Sequence, residues 1–206
     1  FYLELMRGQS KKGVPNDSSI TFLSARPSVY KGFSEHATYS KLSAIWKSRK
    51  IASPLPNLLP GSVRSSSGAL IGQMSAIAKY KFKNFTEYIQ LYPEAKFIFV
   101  GDNGQGDVEA GELMRQHYPR QTLSVFIHQV KDTPLEQRQR LLQAMVTFHK
   151  TYIGAALTAF GSNLISGVAL RSITETTISE LEALDQYSWK KTEDRFDFLI
   201  LHQEDI

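Results

Sequence analysis

Lys96-Phe97-Ile98-Phe99-Val100 runs directly into Gly101-Asp102-Asn103-Gly104-Gln105-Gly106-Asp107. Four apolar residues follow the lysine without interruption, as in a strand covered on both faces. The glycine-rich turn behind it leads into an amphipathic stretch over residues 108–117, so the segment predicts strand, turn and helix. Leu123-Ser124-Val125-Phe126-Ile127 predicts a second buried strand. Ile20-Thr21-Phe22-Leu23-Ser24 predicts a third, ended by Arg26-Pro27. Between the third and the first lies a helical pattern over residues 70–92 (Ile77, Phe82, Phe85, Ile89), with Pro93 just past its end. Strands alternating with helices define an α/β domain built on a parallel sheet.

Outward from this centre, residues 1–6 read as the end of an amphipathic helix and residues 8–19 as a polar loop. Residues 28–49 read as mostly helical with basic decoration. Residues 51–67 read as a loop rich in proline and serine, containing Pro54, Pro56, Pro60 and Gly61. After Pro134 the pattern turns helical over 135–148, 152–169 and 173–184. The aromatic end, Trp189 and Phe196-Asp197-Phe198-Leu199-Ile200-Leu201, predicts a last strand or a tail that docks on a partner. The expected division is an α/β domain over 1–133 and a helical extension over 134–206.

The 206 residues suffice for one domain with a real core. Apolar residues at 42% and charged residues at 21% exclude disordered and collagen-like classes. The apolar runs are too short for a membrane span. With no cysteine, a disulfide framework, a thiolate zinc site, an iron–sulfur cluster and a cysteine nucleophile are excluded. The first residue is Phe1, with no basic segment followed by an apolar one, so no signal peptide is visible and an intracellular location is expected. A net charge of +4 does not by itself point to nucleic acid, which is not expected as a partner.

The chemistry concentrates at the Gly101–Asp107 turn. In a parallel sheet, ligands bind beyond the carboxyl ends of the strands. Two carboxylates on a glycine-rich turn at that edge suit a hard cation such as magnesium, which takes one or two carboxylates plus water and phosphate oxygens. The glycine spacing matches neither the dinucleotide fingerprint nor a Walker loop, and the acids do not match an EF-hand. Spacing alone fits equally well a turn with two solvated aspartates capping the next helix. Ser24, at the end of a strand, could hold a phosphoryl oxygen or simply cap a helix. Lys79, Lys81 and Lys83 could serve a site or form a solvated basic face. The five histidines show no metal-ligand spacing; His128 ends a strand at the expected active edge, where a packing role is the simpler reading.

Strand–Ser, then Lys, then strand–Gly-Asp with a second Asp five residues on resembles motifs two to four of the haloacid-dehalogenase (HAD) phosphohydrolase superfamily. Further segments sharpen the resemblance: Thr21-Phe22-Leu23-Ser24-Ala25-Arg26-Pro27, Gly61-Ser62-Val63-Arg64, Leu91-Tyr92-Pro93-Glu94, the Phe99–Asp107 stretch and Val125-Phe126-Ile127-His128. In that order they look like the catalytic domain of the actin-patch-type phosphatidate phosphatases, distant relatives of the lipins. The resemblance covers roughly residues 1–130. It implies a HAD-like, Rossmannoid parallel sheet flanked by helices, with a helical C-terminal extension.

Residue by residue, the resemblance implies that Ser24 binds the transferring phosphoryl group. Lys81 best fits the family's lysine by its distance to Pro93 and Asp102, with Lys79 and Lys83 as fallbacks; it would neutralise phosphoryl charge. Asp102 would hold Mg²⁺ and Asp107 would support the metal site. Arg26 and Arg64 would bind phosphate or an anionic headgroup through forked contacts. The family attacks phosphorus with the first aspartate of an Asp-x-Asp-x-Thr motif, and none stands in these residues. Asp17 lies in a polar loop before a strand and is wrongly placed. In the family, the helix resembling residues 1–6 follows the nucleophile strand, so the first strand and its motif are expected upstream of Phe1. The chain as it stands is not expected to turn over by itself.

Two functions follow as expectations. One is Mg²⁺-dependent hydrolysis of phosphatidate or another phosphomonoester through an aspartyl-phosphate. The other is an inactive, HAD-like structural or accessory subunit of a larger assembly with protein partners. Lys31, Lys41, Lys47, Arg49 and Lys50 could also meet an anionic membrane surface, although a solvated helix face explains them equally.

Overall fold

The computed structural model describes residues 1–9, 19–27, 33–61 and 70–183. In chain order the elements are α1 (Tyr2–Gln9), β1 (Thr21–Pro27), α2 (Phe33–Ser48), β2 (Asn57–Gly61), α3 (Leu70–Leu91), β3 (Phe97–Asp102), α4 (Asp107–His117), β4 (Thr122–His128), α5 (Leu135–Gln143), β5 (Val146–His149), α6 (Tyr152–Gly161) and α7 (Gly167–Glu182). The chain divides into two compact units, one of residues 19–147 and one of residues 1–18 with 148–206.

The first unit is a mixed α/β body with two small sheets. In one, β1 and β2 run parallel, with Phe22 opposite Leu58 and Leu23 opposite Leu59. In the other the order is β3–β4–β5. There β3 and β4 run parallel, so that Asp102 and His128 end the two strands side by side. This is the HAD-like, Rossmannoid arrangement expected from the sequence, with helices flanking parallel strands.

The core sits where α3 and α4 cover these strands. Ala78, Phe85 and Ile89 of α3 are buried against Ala110 and Met114 of α4, and Leu23, Phe97 and Phe99 pack on the same cluster. Positions 78, 85 and 89 fall on one helical face, as a spacing of seven and four requires. Phe85 meets Phe97 edge-on, with ring centroids 5.3 Å apart. In β4, Val125, Phe126 and Ile127 are all fully buried, as expected of a strand covered on both faces.

In the second unit α1 packs on α7. Leu5, Ile153, Ala156, Leu164, Ile165 and Ile173 are buried, and Tyr2 and Tyr152 share a hydrogen bond of 3.1 Å. Ser166 caps α7 by accepting from the N–H of Ala169. No helix among the described residues is long and apolar enough to cross a membrane.

Three expectations about elements need correction. Residues 51–67 are not simply a loop, because Asn57–Gly61 pairs as β2. Pro60 disguised it, yet proline is tolerated on an edge strand, and β2 is one. The helix expected over 135–148 stops at Gln143, and the chain turns through Met145 at φ 60° into β5. No glycine or proline marks that turn. The helix expected over 152–169 is broken between α6 and α7, where Asn163 adopts φ 56°. The aromatic end beyond residue 183 lies outside the described residues.

Candidate active site

The turn after β3 assembles the site. Gly106 lies at φ 80°, a left-handed conformation that glycine accepts without penalty. A Cβ at Gly106 would also stand 2.5 Å from the carbonyl oxygen of Met74 on α3. This conformation starts α4 at Asp107 and turns its side chain back toward the strand. There it closes over Gly101, where a Cβ would stand 2.6 Å from the Asp107 carboxylate. Glycine at position 101 is therefore what lets Asp107 approach the end of β3.

Asp107 is buried and so is its partner. Lys81 reaches it from α3, its ammonium donating to Asp107 Oδ1 as an ion pair. The other carboxylate oxygen, Oδ2, accepts the backbone N–H of Asp102 at 3.2 Å. Both oxygens of Asp107 are thus engaged within the fold. Asp102 stands differently. Its Oδ1 accepts the N–H of Gly104 at 2.7 Å, and no described residue hydrogen-bonds Oδ2. Asp102 presents a half-buried carboxylate at the carboxyl edge of the sheet, and its backbone N–H joins it to the Lys81–Asp107 pair.

The three lysines separate by burial. Lys79 is exposed, and Lys83 is exposed and faces Glu87 one helical turn away at 3.7 Å. Lys81 alone of the three is buried. Ser24 and Arg26 lie in the second half of β1, whose backbone alone is described there. Arg64 and Asp17 lie outside the described residues. His128 ends β4 beside Asp102, and its carbonyl oxygen accepts the N–H of Asn103 at 3.1 Å. Asn103 itself, which spacing did not single out, makes a set of bonds to the segment after β4.

The donor set fits magnesium in a limited way. Asp102 offers one hard carboxylate oxygen, and magnesium keeps several waters when a protein supplies few ligands. Asp107, with both oxygens engaged, suits the role of fixing Asp102 rather than binding a cation directly. Among the described residues no group of three or more potential ligands comes together.

A parallel α/β body with an acidic glycine turn at the strand ends and a buried lysine paired to it is consistent with a HAD-like fold. The chain belongs to the family described as the phosphatidate phosphatase APP1 catalytic domain, which matches residues 15–129, more than half of its length. That span includes Ser24, Arg26, Arg64, Lys81, Asp102 and Asp107. No curated protein and no solved structure matches the chain.

Proposed function

We propose that this chain forms the phosphoryl-binding part of a Mg²⁺-dependent phosphatidate phosphatase. The observation that carries the reading is the buried Lys81–Asp107 pair, whose carboxylate accepts the backbone N–H of Asp102 at the end of β3. Phosphoryl transfer demands positive charge and fixed donors around the phosphate, with little covalent work for most of the site. Lys81 supplies positive charge, held in place by Asp107. Ser24 donates to a phosphoryl oxygen, and Arg26 and Arg64 bind the remaining oxygens. Magnesium, when bound at Asp102, offsets the charge on the phosphate and on the attacking carboxylate.

The nucleophile is an aspartate on a strand preceding these 206 residues. Its carboxylate oxygen bonds to phosphorus as the phosphorus–oxygen bond to the glycerol breaks, and a general acid protonates the departing alkoxide. Water then attacks the phosphorus of the aspartyl-phosphate and releases inorganic phosphate and the free carboxylate. Two features of the fold support a strand at that place. Among the described residues β1 pairs only with β2, and β3 only with β4. The cluster beneath α3 nevertheless joins Leu23 of β1 to Phe97 and Phe99 of β3.

In the intact protein, with its upstream residues, phosphatidate and Mg²⁺ are expected to yield inorganic phosphate, and Asp102→Asn to lower the rate at least about a hundredfold. Turnover that survives Asp102→Asn would sink the assignment. An intact protein with no turnover at all would instead favour the accessory-subunit reading. The exposed Lys41, Lys47, Arg49 and Lys50 supply an electrostatic approach to anionic lipid. Lys47→Glu with Arg49→Glu should weaken binding to phosphatidate-containing vesicles at low salt; unchanged binding removes this role.

A further inference from the structure

Asn103 follows Asp102 directly, and its side chain is fully used. A side-chain amide has two N–H donors and two carbonyl lone pairs. Nδ2 donates to the carbonyl oxygen of Lys131 at 2.6 Å and to Thr133 Oγ1 at 2.9 Å. Oδ1 accepts the N–H of Val130 at 2.8 Å and of Lys131 at 3.0 Å. The backbone N–H of Asn103 adds its bond to the carbonyl oxygen of His128. All of these partners lie at the end of β4 or in the segment leading to α5. Among the described residues no other side chain hydrogen-bonds the backbone of residues 129–133. Val130, Lys131 and Asp132 are exposed, so burial does little to hold the segment.

The consequence reaches Asp102. The turn that carries Asn103 also presents the Gly104 N–H to Asp102 Oδ1. Val130 lies against Gly104, its Cγ2 3.5 Å from where a Cβ would stand. The segment after β4 therefore forms a wall beside the Asp102 carboxylate, and one amide side chain ties that wall to the turn. A carboxylate of the same shape has no donors for Lys131 O and Thr133 Oγ1, and a serine is too short to span both sets of partners.

We propose that Asn103 is a positioning residue: by tying the β4–α5 segment to the β3–α4 turn, it holds the Asp102 carboxylate in the orientation that binds the cation. The cation, though not the tie, rests on the function proposed above.

The test is amide hydrogen exchange by NMR on the intact protein, with Asn103→Ala and Asn103→Ser compared with the parent. The amides of Val130, Lys131 and Gly104 should exchange about tenfold faster in Asn103→Ala, the factor that one lost hydrogen bond is worth. Those of Phe126 and Ile127 in the buried strand should not change. Unchanged exchange at Gly104 in both variants overturns the proposal. If Asn103→Ala fails to fold, Asn103→Ser carries the comparison. A Mg²⁺ titration followed at the Asp102 and Gly104 amides supplies the readout that a purely structural tie would not move. Its half-saturation should rise several-fold in the variants, and an unchanged value with faster exchange reduces Asn103 to a loop staple and overturns its positioning role. A parent protein whose amides do not respond to Mg²⁺ counts against the proposed function, while exchange at Gly104 still decides whether Asn103 positions Asp102.

Discussion

Lys81→Met is the most informative single perturbation. The Lys81 and Asp107 side chains are each 9% exposed, so neither charge has water to fall back on. Removing the ammonium leaves Asp107 with one backbone N–H, that of Asp102, as its remaining partner. Breaking one side of such a buried pair costs about 3–5 kcal/mol, because the surviving charge stays desolvated and uncompensated. Asp107→Asn leaves the converse problem, a buried ammonium, and should cost a similar amount. The double variant Lys81→Met with Asp107→Asn removes both charges and keeps an oxygen to accept from Asp102. Its loss should therefore fall below the sum of the single losses, by about 2–3 kcal/mol of coupling.

Urea denaturation followed by circular dichroism, with slopes checked for constancy, measures all four corners of the cycle. In a chain of this size each lost kcal/mol lowers the melting midpoint by roughly 2–4 °C. Added salt should leave the coupling nearly unchanged, since a buried pair is poorly screened. The exposed pair Lys83–Glu87, with side chains 68% and 60% accessible, is the internal control. There Lys83→Met should cost less than about 0.5 kcal/mol. Single losses at Lys81 and Asp107 below about 1 kcal/mol, adding without coupling, would refute the buried pair and the site built on it.

Two further perturbations probe the scaffold. Gly106→Ala combines a left-handed backbone with a Cβ 2.5 Å from Met74 O; a loss of at least about 1–2 kcal/mol is expected in thermal melts, and a neutral variant would contradict the turn geometry. Thr151→Ala removes the cap that accepts the Gly154 N–H at 3.0 Å; a loss of about 1 kcal/mol is expected, and no loss would mean that the cap is replaced by water.

How much of the site could be read from the chain depends on the residue. The apolar run 97–100 followed by Gly-Asp marked β3, its turn and both aspartates, because an uninterrupted apolar run has no polar alternation to confuse it, although every residue of β3 is only half-buried where full cover was expected. The choice among the three lysines was also readable from helical geometry. Lys79, Lys81 and Lys83 are two residues apart and cannot share one face, and only Lys81 falls on the stripe of Ala78, Phe85 and Ile89. A charge on an apolar stripe is a signal in its own right, since it must be paired. The Gly161-Ser162-Asn163 break between α6 and α7 carried turn residues but was hidden by apolar periodicity on both sides. The turn at Met145 carried no such residue and could not be found from local chemistry. Asn103 was hidden for a different reason: its bonds reach residues 128–133, and such a long-range pairing leaves no trace in spacing.

The stripe on α3 also explains why stability and site geometry cannot be tuned separately here. Its buried residues pack on Leu23 of β1, the neighbour of Ser24, and on Phe97 and Phe99 of β3, the strand that ends in Asp102. The same stripe carries Lys81, which is joined to Asp107 and through Oδ2 to the Asp102 backbone. A shift of α3 therefore acts on the serine strand, the lysine and the acidic turn together. Gly101 and Gly106 let α3 and Asp107 close on that turn, and added Cβ atoms there would meet Asp107 and Met74 O respectively. Substitutions in this stripe that cost folding energy should displace the site as well, whereas equally costly ones among the buried residues of α6 and α7, in the other unit, need not.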